Sequence, residues 1–128
     1  MEKPSLTLVK SNNPQKHSKE LLTMFKALGH NMVCFSSEAS TDPFKIGITD
    51  PKQVVGKVGS ANTVYFENAE MFNPSQMERT CRDLMFYHLN EKNVIVNMRE
   101  YDDNGNKIEL CSTLERMASK VITIKNDR

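Results

Sequence analysis

The most restrictive pattern in the chain lies between residues 73 and 88. There Met77, Cys81, Leu84, Met85 and His88 recur at i, i+4, i+7, i+8 and i+11, one continuous apolar stripe at the α-helical period. Asn73 can cap this helix, Pro74 suits its first turn, and Gln76 can reach back as in a capping box. A helix with a single apolar face needs a partner surface. The runs at 63–66 and 93–98, on either side of it, read as strands, so the pattern implies a helix laid on a sheet.

The other segments follow the same logic. Residues 5–9 alternate well enough for a short strand, and Asn13-Pro14 reads as cap and first residue of a helix. Leu21, Met24, Phe25 and Leu28 share a face of that helix, which Gly29 ends in the left-handed conformation. Residues 31–35 form a strand, 36–42 a polar loop, and 44–49 another strand. Their closeness in sequence suggests a hairpin. Asp50-Pro51 opens a short helix or turn, Asp103-Asn104-Gly105 is a turn, and Ile108, Cys111, Leu114, Ala118 and Val121 favour a last helix. The order is β-α-β-β-(α)-β-α-β-α. It implies an α+β fold, a small sheet of three to four mainly antiparallel strands packed with helices.

At 128 residues the chain is read as one domain, 1–128. Seventeen Lys and Arg against sixteen Asp and Glu give no overall basic field, so a nucleic-acid face has to come from local clustering. Cys34, Cys81 and Cys111 are odd in number, without a Cys-x-x-Cys pair, and each sits in an apolar pattern. They are expected as buried free thiols in a reducing compartment. His17, His30 and His88 lack ligand spacing, which argues against zinc. No apolar run reaches membrane-spanning length and the N-terminus has no signal-peptide core; the expectation is a soluble, intracellular protein with no membrane partner.

The segment Pro43-Phe-Lys-Ile-Gly-Ile-Thr49, with Glu78 near the start of the long helix, resembles the GIY-YIG nuclease superfamily, in particular the phage and large-virus branch with Lys-Ile-Gly in the second motif. The resemblance covers about residues 31–90 and implies a GIY-YIG-like core with N-terminal strand-helix and C-terminal strand/helix additions. It implies Glu78 as metal ligand, with Mg²⁺ as the cofactor if the site is active, and Lys45 as a catalytic or phosphate-contacting cation. The departures are substantial. Phe35 and Cys34 stand where the first-motif tyrosine belongs, and Val54, Val55 and Gly56 where the arginine belongs. Lys52 and Lys57 flank that gap, but a lysine lacks the planar fork of arginine. Tyr65 and Tyr87 remain, and strand tyrosines commonly serve packing.

These residues lead to the expectation of a DNA-binding domain with degraded catalysis, its phosphate-facing surface formed by Lys45, Lys52 and Lys57. Two alternatives stand beside it. One is an active Mg²⁺-dependent DNA endonuclease using Glu78. The other is a viral protein-interaction or inhibitor module with a host or viral protein partner, for which eight methionines, Met71 and Met98 among them, offer adaptable contacts. For Gly59-Ser60-Ala61-Asn62, an ordinary loop is preferred to an anion-binding turn.

Overall fold

The computed structural model describes residues 5–29, 31–37, 45–48, 51–54, 56–86 and 92–124. Six strands run through it: β1 (Leu6–Ser11), β2 (Met32–Ser36), β3 (Lys45–Gly47), β4 (Thr63–Glu67), β5 (Asn93–Met98) and β6 (Lys120–Ile124). Three α-helices connect them, α1 (Pro14–Ala27), α2 (Pro74–Phe86) and α3 (Glu109–Met117), with 3₁₀ turns at Pro51–Val54 and Ala69–Met71. The strands form one sheet in the order β3-β2-β4-β5-β1-β6, and every pairing in it is parallel.

This overturns the expected fold class. The molecule is an open α/β sheet, not a GIY-YIG-like α+β sheet of three or four mainly antiparallel strands, and β2 and β3 are not a hairpin. The physical reason is visible along the strands. Val94, Ile95 and Val96, like Val64, Tyr65 and Phe66, are all buried. Consecutive apolar residues buried on both faces mark a parallel sheet covered on two sides, whereas a half-solvated hairpin alternates. The misleading cue was that only residues 37–44 separate β2 from β3, fewer than parallel crossovers usually require.

Each face has its own core. Val9, Cys34, Tyr65 and Ile95 pack under Leu21, Leu22 and Phe25 of α1. The opposite face carries Leu6, Leu8, Phe66, Val94 and Val96 beneath Met77, Cys81 and Leu84 of α2 and Leu110 and Leu114 of α3. The α2 stripe is buried as its spacing predicts through Met85; His88 lies outside the described residues, as do Phe44 and Thr49 of the expected 44–49 strand. On α1 the stripe turns: Leu21 and Phe25 are buried, while Met24 and Leu28 are exposed. Gly29 takes φ +92° as expected for the residue ending this helix.

The C-terminal expectation fails in one respect. Helix α3 stops at Met117 because Ala118 adopts an extended backbone at ψ 137°. Val121 belongs to β6 and not to a helix, in keeping with the β-branched run Val-Ile-Thr-Ile. Cys34, Cys81 and Cys111 are buried and free, as expected. Among the described residues no helix is long and apolar enough to cross a membrane.

Candidate functional site at the carboxyl edge of the sheet

In open parallel sheets, ligands bind where adjacent strands send their connections to opposite faces, outside the strands' carboxyl ends. Here those neighbours are β1 and β5. The chain leaves β1 through α1 on one face and leaves β5 through α3 on the other. The sheet edge there is formed by Ser11 and the start of α1, by Asn97 near the end of β5, and, one strand further, by Glu67 at the end of β4, all three side chains buried. Glu67 and Asn97 are directly in register.

The first turn of α1 is bolted to the sheet through a directional hydrogen-bond network. The Ser18 hydroxyl donates to the Pro14 carbonyl at 2.8 Å, so it accepts from the Tyr65 hydroxyl at 3.0 Å. That hydroxyl in turn accepts from Asn97 Nδ2 at 2.8 Å. The same Nδ2 donates to the Pro14 carbonyl at 3.1 Å. A carbonyl can only accept, so the amide orientation is fixed: nitrogen toward Pro14, oxygen away from it. Burial, partly offset by the bonds to Ser18 and Asn97, pushes the Tyr65 phenol well above its ordinary range. Tyr65 is therefore a packed donor rather than a base.

Asn97 is fully buried, and its Oδ1 has no hydrogen-bond partner among the described residues. His17 Nε2, one residue before Ser18, is also buried without a partner among them. Glu67 is 2% exposed, a carboxylate set inside the carboxyl edge. The helix end itself is unusual. Asn13 caps it by accepting from the Lys16 amide at 3.1 Å, and its first turn holds no acid. Lys16 stands where the positive end of the helix dipole disfavours a cation. Lys16 is exposed and makes no ion pair with a described residue. Further along the same edge, Glu70 accepts from the Arg99 amide at 3.3 Å, and burial holds its carboxyl above the usual range.

The residues singled out in the sequence are dispersed. Lys45 opens the edge strand β3, in register with Cys34. Lys52 lies in the 3₁₀ turn Pro51–Val54, and Lys57 is exposed in the turn after it; the side chains of Lys45 and Lys52 are outside the described residues, as is Val55. Glu78 sits on α2, pairs with Arg82 at 3.0 Å, and borders a hollow whose described walls come from α2 and α3. Gly59 to Asn62 lie at the amino edge, where Asn62 Oδ1 accepts from the Asn31 amide at 3.0 Å and the Thr63 hydroxyl at 2.9 Å. That is the structural loop expected.

A separate charged cluster joins β1 to α3 on the other face. Lys10 bonds Glu100 at 2.9 Å and Glu115 at 3.0 Å, and Lys107 bonds Glu115 at 2.8 Å. The Lys107 and Lys10 ammoniums hold the Glu115 carboxyl down at about 2. The Cys111 thiol lies against the same carboxylates, but burial, then Glu115, pushes it up to about 11. A metal needs the thiolate, and here two ammonium groups already neutralise the carboxylates. This donor set suits an ion-pair clasp and not a metal centre.

Sequence reasoning missed Ser18, Glu67 and Asn97. Two signals were present: Asn97 interrupts an otherwise apolar strand, and Glu67 ends one. Fold and site together define an open, doubly covered α/β sheet with buried polar side chains at its carboxyl edge. No protein-family model matches the chain, and no curated protein matches it.

Proposed function

We propose that this chain binds a phosphorylated ligand at the carboxyl edge of its sheet, against the first turn of α1, without an efficient catalytic apparatus. The observation that carries the reading is the acid-free, lysine-bearing N-terminus of α1 set over buried Asn97, whose Oδ1 has no donor among the described residues. A helix start with Lys16 and His17 favours phosphate oxygens. Asn97 Oδ1 and the Glu67 carboxylate lie buried beneath that helix start, and a ligand that displaced their cover would meet acceptors for its hydroxyl or amino donors. A sugar phosphate offers both, and it occurs in free nucleotides and at the phosphorylated ends of DNA strands. DNA is thus one source of that chemistry, proposed here to meet the start of α1 rather than Lys45, Lys52 and Lys57.

The test is calorimetric titration with inorganic phosphate, a nucleoside monophosphate and a 5′-phosphorylated oligonucleotide, on wild type and Lys16→Glu. The substitution removes a dipole-opposed cation, so the free protein gains about 0.3–1 kcal/mol of stability while phosphate affinity falls at least tenfold. Preference between the second and third probes identifies the source. Equal affinity of wild type and Lys16→Glu for every phosphate probe refutes the reading. Cleavage is assayed in the same samples: Mg²⁺-dependent nicking abolished by Glu78→Ala restores the endonuclease alternative.

A further inference from the structure

The seam between α2 and α3 is open on its outer side. Two hollows, of about 390 Å³ and 250 Å³, lie along it and share Glu78 and Thr113 as walls. The helices run side by side in the same direction: Pro74 and Ser75 lie near Glu109 and Leu110 at one end, Phe86 near Met117 at the other. Both connect parallel strands on one face of the sheet, so this orientation follows from the topology.

The groove is chemically graded. Its far end combines Phe86, 67% exposed, with Met85 and Met117 and the guanidiniums of Arg82 and Arg116. Arg82 shares its charge with Glu78 at 3.0 Å, while Arg116 makes no ion pair with a described residue. The near end carries Glu109 and the other flank of Glu78. An aromatic ring exposed between arginines suits either a stacked base or an apolar side chain flanked by carboxylates. The gradient decides between them. A nucleic-acid strand presents a phosphate at every step and meets Glu78 and Glu109 as it continues; a peptide can change charge along its length.

We infer that the α2–α3 groove docks a segment of a partner protein, acidic where it meets Arg82 and Arg116, apolar over Phe86 and Met117, and basic where it meets Glu109. The groove is distinct from the carboxyl-edge site, so occupying one leaves the other accessible. Arginine and aromatic side chains are the usual anchors of such interfaces, and methionines adapt to an apolar partner.

The experiment selects binders to the whole protein from a random library of displayed twelve-residue peptides. The strongest are then mapped by the methyl resonances of Met85 and Met117. The expected binders pair acidic residues with a large apolar one, perturb both methyls, and weaken at least tenfold on Arg116→Glu and on Phe86→Ser. Both side chains are exposed, and an unchanged melting temperature verifies that each variant is folded. The inference is overturned if selection yields no enriched peptide, if binding ignores both substitutions, if the perturbed methyls lie elsewhere, or if a single-stranded oligonucleotide shifts Met85 and Met117 where peptides do not.

Discussion

Replacing Asn97 by aspartate changes one atom's chemistry at the centre of the network that holds α1. The wild-type amide donates to both the Tyr65 hydroxyl and the Pro14 carbonyl; an ionised carboxylate can donate to neither. It would also lie in register with Glu67, which is almost fully buried. Burial and a neighbouring carboxylate both raise an acid's pKa, by up to about 3–5 units in enclosed sites. Taking about 2–3 units above an unfolded value near 3.9, at about 1.36 kcal/mol each, ionisation costs the variant about 3–4 kcal/mol at pH 7. The folded-state value is raised, so this loss is absent below pH 4, grows as pH rises toward the folded value, and is level beyond it. In the acid range the neutral carboxyl restores one donor, leaving a deficit of about 1 kcal/mol for the missing bond. Urea unfolding of wild type and Asn97→Asp at intervals from pH 4 to 8 measures the difference directly. Parallel curves, with a gap independent of pH, would refute the network as described.

Three further outcomes follow from the same structure. Tyr65→Phe leaves one Asn97 donor only the longer 3.3 Å bond to Ser18 and costs about 0.5–1.5 kcal/mol in denaturant unfolding. The Glu115 carboxyl is depressed to about 2, so its contribution is complete above its ordinary value of 4.5 and is lost as pH falls from there toward 2. Thermal melts should show a steeper acid loss in wild type than in the Lys10→Met, Lys107→Met double variant. Cys81 and Cys111, pushed up to about 12 and about 11, chiefly by burial, should resist alkylation at pH 8 in the native protein and react promptly in urea; rapid native labelling of both would contradict their packing.

Secondary structure was more legible than the way it assembles. Met77, Cys81, Leu84 and Met85 announce α2 and its buried face, since the helical period is a local property of the chain. Strand direction is not local. Lys45-Ile46-Gly47 stands so soon after β2 that a hairpin was the natural inference, and only the doubly buried runs at Val64–Phe66 and Val94–Val96 argued for parallel pairing. Strand β6 was masked by Cys111, Leu114 and Ala118, whose helical spacing extends by coincidence to Val121. The candidate site was harder still. Ser18, Glu67 and Asn97 come from three distant segments, and their meeting depends on β1 crossing to β2 over two intervening strands. The strand-helix resemblance rests on Lys45 and Glu78, in β3 and α2, whereas the polar residues that break apolar runs lie at the carboxyl edge.

The side-chain amide of Asn97 reports most directly on the central claim. Its NH₂ group is held by Tyr65 and by Pro14, the first residue of α1, so its resonances respond to any ligand that engages the start of that helix. Titrating ¹⁵N-labelled protein with a nucleoside monophosphate should move that side-chain pair together with the backbone amides of Lys16 and His17, saturably and at one affinity. A saturating titration in which these three signals stay fixed, with any shifts confined to other regions, would contradict the account.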